Sequence, residues 1–270
     1  MHGRVASTQV LTPSLVRVVL EGGDLAELVM PDATDAYINA AFRPADAPYG
    51  EVFDPQTVKE SHPDAEQPAR RRYTVRSWDA EARRLTVDFV VHGDTGVAGP
   101  WAAGAVAGDE IELAGPGGAY APDPQADWHL LAGDASVIPA ISASLPAIPA
   151  GVPVYVVVEV DSPAEEQPLS TPGDLRLQWV HRSAGPGEEP ELLAEAVAAL
   201  ALPEGRGQAF VHGEASSVRA LRRHLIAERG LEPEQLSISG YWKLKRTEEG
   251  WREDKAEWNR LVAADVAAAA

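Results

Sequence analysis

The 270-residue chain has no cysteine. Disulfides, thiol nucleophiles, zinc–thiolate sites and iron–sulfur clusters are therefore excluded, and any electron transfer must run through an organic cofactor. Long apolar runs are also missing. Hydrophobic residues make up 45% of the chain, enough for a packed core, but no run approaches the roughly 20 residues a membrane span needs. Basic residues are scarce: 23 against 41 acidic ones, a formal net charge of −18. That sign argues against nucleic acid and anionic membranes as partners, since both call for a basic surface, and it favours solubility. The first residues, Met1 to Leu11, carry neither the basic start nor the apolar stretch of a secretory signal. The expectation is a cytoplasmic protein.

What is present divides into two patterns. Short β-branched or alternating runs at 4–9, 15–20, 36–42, 73–78, 84–92 and 110–114 read as antiparallel strands. In the fifth of these, Leu85, Val87, Phe89 and Val91 share one face. Six short strands with Gly/Pro punctuation predict a six-stranded barrel. Residues 44–67, rich in Pro, Asp and Glu, read as a long loop. The pattern changes after the Gly/Pro-rich stretch 115–125. Strands at 128–132, 154–160, 175–181 and 209–212 then alternate with helices at 136–145, 189–202 and 216–229. That alternation predicts a parallel α/β sheet, with 154–160 buried on both faces. A C-terminal helix is expected over 247–267, with Trp251, Trp258, Leu261 and Val262 on one face, a weak start at Thr247 and fraying terminal alanines. The predicted domains are 1–122 and 123–270.

Five motifs carry chemistry. Arg71-Arg72-Tyr73-Thr74-Val75-Arg76 lies on a barrel strand and offers a cation, a flat ring and a small hydroxyl, which a flavin dinucleotide needs; it would equally suit a solvated basic strand. The strand from Asp88 through Val90 to His92 leads into Gly93-Asp94-Thr95-Gly96-Val97-Ala98-Gly99-Pro100-Trp101. Such a turn presents backbone N–H groups to phosphate, although a plain loop reads the same way. Gly133-Asp134 ends an apolar run and leads to a helix, the place where parallel sheets bind nicotinamide nucleotides; an ordinary strand–helix turn fits too. His212-Gly213-Glu214 repeats that arrangement, and Gly240-Tyr241-Trp242-Lys243 supplies rings for a flat cofactor or for packing.

Taken in order, these motifs resemble the siderophore-interacting protein family, FAD-dependent ferric-siderophore reductases of the ferredoxin-reductase-like superfamily. The resemblance runs from about Val5 to about Trp258. It implies an FAD-binding barrel followed by a nicotinamide-nucleotide-binding-like domain, with NADH or NADPH as donor, ferredoxin as another source of electrons, and a ferric siderophore as substrate. It implies that Arg71, Tyr73, Thr74 and Val75 hold FAD, that Asp88, Val90 and His92 line it, and that Thr95, Gly96, Val97, Ala98 and Gly99 cradle its pyrophosphate. Gly133, Asp134 and Glu214 would belong to the nucleotide domain, with Tyr241 and Trp242 near the flavin.

Three departures stand out. The family's Gly-Pro-Ala-Ser turn is Gly96-Val97-Ala98-Gly99 here, without the hydroxyl. Asn39 and Gly117 replace basic residues that relatives use to hold an anionic siderophore. Arg43, Lys243, Lys245 and Arg246 are the candidates to stand in for them. No catalytic acid, base or metal site is expected, because outer-sphere electron transfer needs none. Two other readings stay open: a general NAD(P)H–flavin reductase with another acceptor, and a siderophore carrier whose flavin site is vestigial.

Overall fold

The computed structural model describes residues 1–184 and 192–267. The chain forms two compact units, Met1–Ala121 and Pro122–Ala270.

In the first unit six strands, β1 (His2–Thr12), β2 (Leu15–Glu21), β3 (Tyr37–Phe42), β4 (Ala69–Asp79), β5 (Arg84–Val90) and β6 (Glu110–Gly117), close into a barrel in the order β1-β2-β5-β4-β3-β6. Every neighbouring pair is antiparallel. The period of two sorts each strand: Val16, Val18 and Leu20 of β2 and Leu85, Val87 and Phe89 of β5 fill the interior, with Val91 packed against them. Their alternate neighbours face outward. β4 begins four residues earlier than the apolar pattern indicates, because Ala69 through Arg72 pair with β3. Main-chain hydrogen bonds hold strand geometry there although arginines occupy the side-chain positions.

The stretch 44–67 is not a plain loop. It contains the helix α1 (Pro55–Ser61), capped by Asp54, whose carboxylate accepts from the amides of Gln56 and Thr57 at 3.0 and 3.2 Å, with Pro55 in the first turn. The Asp-Pro pair was the signal for it. A second short helix, α2 (Ala98–Gly104), follows the turn after β5.

In the second unit β7 (Trp128–Asp134), β8 (Pro153–Val160), β9 (Asp174–His181), β10 (Gly207–Glu214) and β11 (Leu236–Trp242) form a parallel sheet in the order β11-β10-β7-β8-β9. β8 is buried along nearly its whole length, as its β-branched run requires. β11 was missed: its serines and glycine hide a strand that pairs with β10 from Ala209↔Leu236 onward. The helices are α3 (Ile138–Ser144), α4 (Leu192–Ala198), α5 (Ala215–Ala227) and α6 (Glu248–Ala267). The expected start of α4 at residue 189 lies outside the described residues, as do the last alanines at 268–270. α4 ends early because Arg229 donates to the carbonyls of Ala198 and Leu200. The start of α6 is better defined than expected, since the Thr247 hydroxyl accepts from the Gly250 amide at 3.2 Å. Trp251 and Trp258 are buried, their rings 5.8 Å apart, whereas Leu261 is exposed. No described helix is long and apolar enough to cross a membrane.

Phe89 is the largest wholly buried side chain of the barrel, with Tyr73 and Trp101 at 4.3 and 5.5 Å between ring centroids. Phe89→Ala should lower the unfolding free energy by about 3–5 kcal/mol, the usual cost of an aromatic-sized cavity. Urea titration followed by tryptophan fluorescence checks this, and an unmoved midpoint would show that the site collapses without loss.

Candidate functional site

Strand alternation divides the Arg-x-Tyr-Thr motif. Tyr73 packs inward on Phe89 and Val75 lies in the barrel core, while Thr74, also buried, belongs to the outer face. The guanidinium of Arg71 donates to the Arg70 carbonyl at 3.0 Å. Asp88, on the outer face of β5, is 3% exposed, and both its oxygens accept from Arg17 of β2 at 2.7 and 2.8 Å. Val90 closes β5 half-exposed.

The outer face also gathers residues that sequence reasoning passed over. Arg72 is exposed and stacks 4.3 Å from the ring of Tyr37, with no hydrogen bond or ion pair among the described residues. It pairs across the ladder with Asn39. A Cβ on Gly117 would lie 2.7 Å from that same Tyr37 ring. Tyr37 therefore takes the room a basic side chain at 117 would need, and Arg72 puts a cation beside Asn39. No alternation or spacing rule picks out Tyr37; the clue was the pair of missing cations.

After β5 the chain turns through exposed residues 92–97. Gly93 and Gly96 have φ of 61° and 79°, conformations that side chains disfavour. The Thr95 hydroxyl lies 3.2 Å from both the ring Nδ1 and the carbonyl of His92, closing the turn on itself. The backbone N–H groups of 93–97 make no hydrogen bond within the described residues. Ala98 and Gly99 start α2 buried, and a Cβ on Gly99 would sit 3.3 Å from the Val90 carbonyl. The missing serine thus coincides with close packing of α2 on the end of β5. A turn with unused amides beside a basic strand fits the diphosphate of FAD.

In the second unit the motif residues meet at the carboxyl ends of β7, β10 and β11. Asp134 is buried. Its Oδ1 accepts from the amide and hydroxyl of Ser136 at 2.9 and 2.5 Å, and its Oδ2 from the Glu214 amide at 2.7 Å and the Trp242 indole at 3.0 Å. Burial pushes its pKa up, while these four donors pull the other way. Glu214 caps α5 by accepting from the amides of Ser216 and Ser217, and its other oxygen accepts from the Leu244 amide. Gly133 and Gly213 have no room for a side chain: a Cβ would meet the His212 carbonyl at 2.5 Å or the Asp134 carboxylate at 2.4 Å. The rings of His212 and Phe210 stack at 3.8 Å, and the His212 nitrogens lie 3.0 Å from the Tyr241 hydroxyl and 2.9 Å from that of Ser237.

The four candidate substrate cations are divided between the two units. Arg43, in the first unit, folds back to donate to the carbonyls of Tyr49 and Ala47 at 2.6 and 2.7 Å, bracing its own loop. In the second unit Arg246 is paired with Asp254 at 2.7 and 3.1 Å. Lys245 takes a φ of 63°. Lys243 lines a groove of about 430 Å³ with Arg219, Arg223, Asp254 and Glu257.

A closed antiparallel barrel followed by a parallel sheet, with a basic strand and an amide-rich turn on the barrel, defines a flavin-dependent reductase architecture. Residues 4–120 match the siderophore-interacting FAD-binding domain and residues 126–245 the siderophore-interacting protein domain. The chain belongs to the siderophore-interacting protein family. It is 45% identical to an uncharacterised protein of Mycobacterium tuberculosis, over 94% of this chain and 93% of the other. It is 39% identical to the ferric vibriobactin reductase of Vibrio cholerae, over 70% of each. A siderophore utilization protein from T. fusca superposes with a TM-score of 0.78 at 34% identity, over 92% of this chain and 94% of that one.

Burial lowers the pKa of His212 to about 3, with Lys255 adding to the shift. The folded state thus keeps this ring neutral, whereas the unfolded chain protonates it near pH 6.5. Between those values the unfolded state binds more protons, so stability is complete above pH 6.5 and falls as pH drops toward 3, by at most about 1.4 kcal/mol per unit. Denaturant titrations at several pH values should show a shallower acid loss for His212→Asn than for the wild type. Parallel curves would mean that the ring does not titrate with unfolding.

Proposed function

We propose that this protein is an FAD-dependent reductase that passes electrons to iron in a ferric siderophore and so releases ferrous iron. The observation that carries it is one chain matching both a siderophore-interacting FAD-binding domain and a siderophore-interacting domain, over 4–120 and 126–245. Siderophores present hard oxygen ligands suited to Fe(III), and Fe(II) is held far more weakly, so reduction frees the metal without destroying the chelator. When bound, FAD supplies the conversion of a two-electron donor into single electrons for iron. The chain's own part is to bind and to orient. The amides of turn 93–97 and Arg71 hold the diphosphate. The buried Thr74 offers its hydroxyl on the outer face. Arg72 on Tyr37 receives an anionic chelate and stands in for the cations missing at Asn39 and Gly117. NADH or NADPH is the donor that suits the parallel sheet, with reduced ferredoxin as the other source, and the cell interior is where such donors occur.

The cofactor reading predicts that heat releases FAD rather than FMN, and that Arg71→Ala weakens FAD binding by ~1.5–3 kcal/mol, the size of a charge-assisted hydrogen bond. Fluorescence titration of apoprotein measures the loss; an equal dissociation constant would remove Arg71 from the site.

The substrate reading predicts that anaerobically photoreduced protein is reoxidised by ferric siderophores. Arg72→Ala should raise KM for an anionic one severalfold at low salt, with FAD content unchanged. The difference should shrink as salt rises, because an exposed charge is screened over roughly 8 Å at physiological ionic strength. Steady-state reoxidation at two salt concentrations decides, and a variant matching the parent at low salt would exclude Arg72 as the receptor.

A further inference from the structure

Arg76 sits where β4 bulges. Val75 pairs with Val87 and Ser77 with Thr86, so Arg76 is the extra residue in the ladder. Alternation from the core residue Val75 brings the guanidinium to the outer face, where the charged groups facing it are Arg17 and Asp88. Asp88 is already committed, since Arg17 engages both its oxygens. Arg76 is half-buried, yet makes no hydrogen bond or ion pair among the described residues. Two guanidiniums against one carboxylate leave a surplus positive charge at this spot, in a chain whose net charge is −18. Half-burying a cation without a partner is costly unless something negative meets it.

Its position says which part of a flavin dinucleotide that would be. From Arg71 to Arg76 the strand advances ~16 Å at about 3.3 Å per residue. Continued beyond Val75↔Val87, the β4–β5 register carries Arg71 toward Val91 and the turn, and leaves Arg76 at the other end. Arg76 is too far along to share a diphosphate with Arg71, and it lies two residues beyond Thr74 on the same outward face, beside the hydroxyl that the motif offers to the flavin ring, so the ring arm of FAD is the part taken to face it. Taking up two electrons and one proton, the ring acquires one negative charge. The oxidised ring is neutral.

We propose that Arg76, on the outer face at the bulge and beside the Arg17–Asp88 pair, is the cation that stabilises the reduced, anionic flavin ring and so raises the reduction potential of the bound cofactor. This rests on the reading that the turn and Arg71 hold the diphosphate of FAD. Arg17 acts as a positioning residue: it occupies Asp88, which would otherwise neutralise Arg76. A cation that acts on the reduced ring affects oxidised FAD little, which separates this role from phosphate binding and from simple support of the fold.

The test is the midpoint potential of the FAD-loaded protein, measured against a reference dye during slow enzymatic reduction. Arg76→Met should hold oxidised FAD with the parent's dissociation constant but lose ten- to a hundredfold in affinity for reduced FAD, a potential lower by about 30–60 mV. Arg76→Lys, which keeps the charge, should recover most of the shift. An unchanged potential in Arg76→Met overturns the proposal, as does an equal loss for both redox states. Should Arg76→Met not fold, the wild type and Arg76→Lys still decide. Both should show the ultraviolet spectrum of anionic reduced flavin at a pH where free reduced flavin is neutral, and a neutral spectrum overturns the proposal. Purified protein that holds no FAD would instead sink the cofactor reading itself.

Discussion

The carboxyl group of Asp134 is buried at the end of a strand, and it is tolerable there only because four donors converge on it. They come from the start of the next segment (the Ser136 amide and hydroxyl), from the junction of β10 and α5 (the Glu214 amide) and from the end of β11 (the Trp242 indole). Three of the five strands thus have their carboxyl ends joined through one side chain. Removing a single donor would leave a buried carboxyl oxygen short of a partner in a dry site, which costs more than the bond is worth in water. The surrounding glycines follow from the same constraint. Gly213 has φ of 126°, and a Cβ there would strike the Asp134 carboxylate. Gly133 lies against the His212 carbonyl. The small residues are small because the carboxylate needs its donors within hydrogen-bonding distance.

The barrel solves a different problem. Its interior is filled by apolar side chains from alternate positions, so most of its polar side chains lie on the outer face. There Arg17 and Asp88 form a bidentate pair between β2 and β5, and Arg76, unpaired at the bulge in β4, lies near them. Arg72 and Tyr37 stack across β4 and β3. A basic row of four arginines would be an odd way to write a strand if propensity were the only influence. It becomes intelligible once Ala69–Thr74 are held by pairing with β3 and the side chains have work on the surface.

This explains which parts were legible in the sequence. Strands with an apolar alternation, β2 and β5, could be read almost to the residue, and so could β8, whose continuous β-branched run reports burial on both faces. Where side chains serve something other than the core, the pattern fails. β4 starts inside a polar run, β11 is masked by Ser237, Ser239 and Gly240, and α1 lies in a stretch whose prolines and acids suggested only a loop. The site was legible as a set of motifs but not as a geometry. A linear motif shows that Arg71, Tyr73 and Thr74 are neighbours; alternation then sends Tyr73 and Thr74 to opposite faces. Arg17 and Tyr37 come to the outer face through strand pairing alone, and no local signal could have named them.

The two units also show that motif residues do not all have the same kind of job. Asp134, Glu214 and Trp242 look functional as strings, yet their polar atoms are engaged with one another and with nearby amides. A side chain whose hydrogen-bonding capacity is already filled inside the protein has little left for a ligand. Its contribution is to hold strand ends in place, and placement of those ends is what makes the carboxyl edge of a parallel sheet usable. In the barrel the situation is reversed. Arg72, Arg76 and the amides of 93–97 keep donors that no described residue takes up. The half-buried guanidinium of Arg76 is a standing cost unless solvent or a ligand meets it, and two cations, Arg72 and Arg76, that the chain's abundant acids leave without an ion pair are not accounted for by solubility. The donors left without protein partners therefore lie on the outer face of β4 and in the turn after β5, while the motif residues of the second unit fasten strand ends to one another.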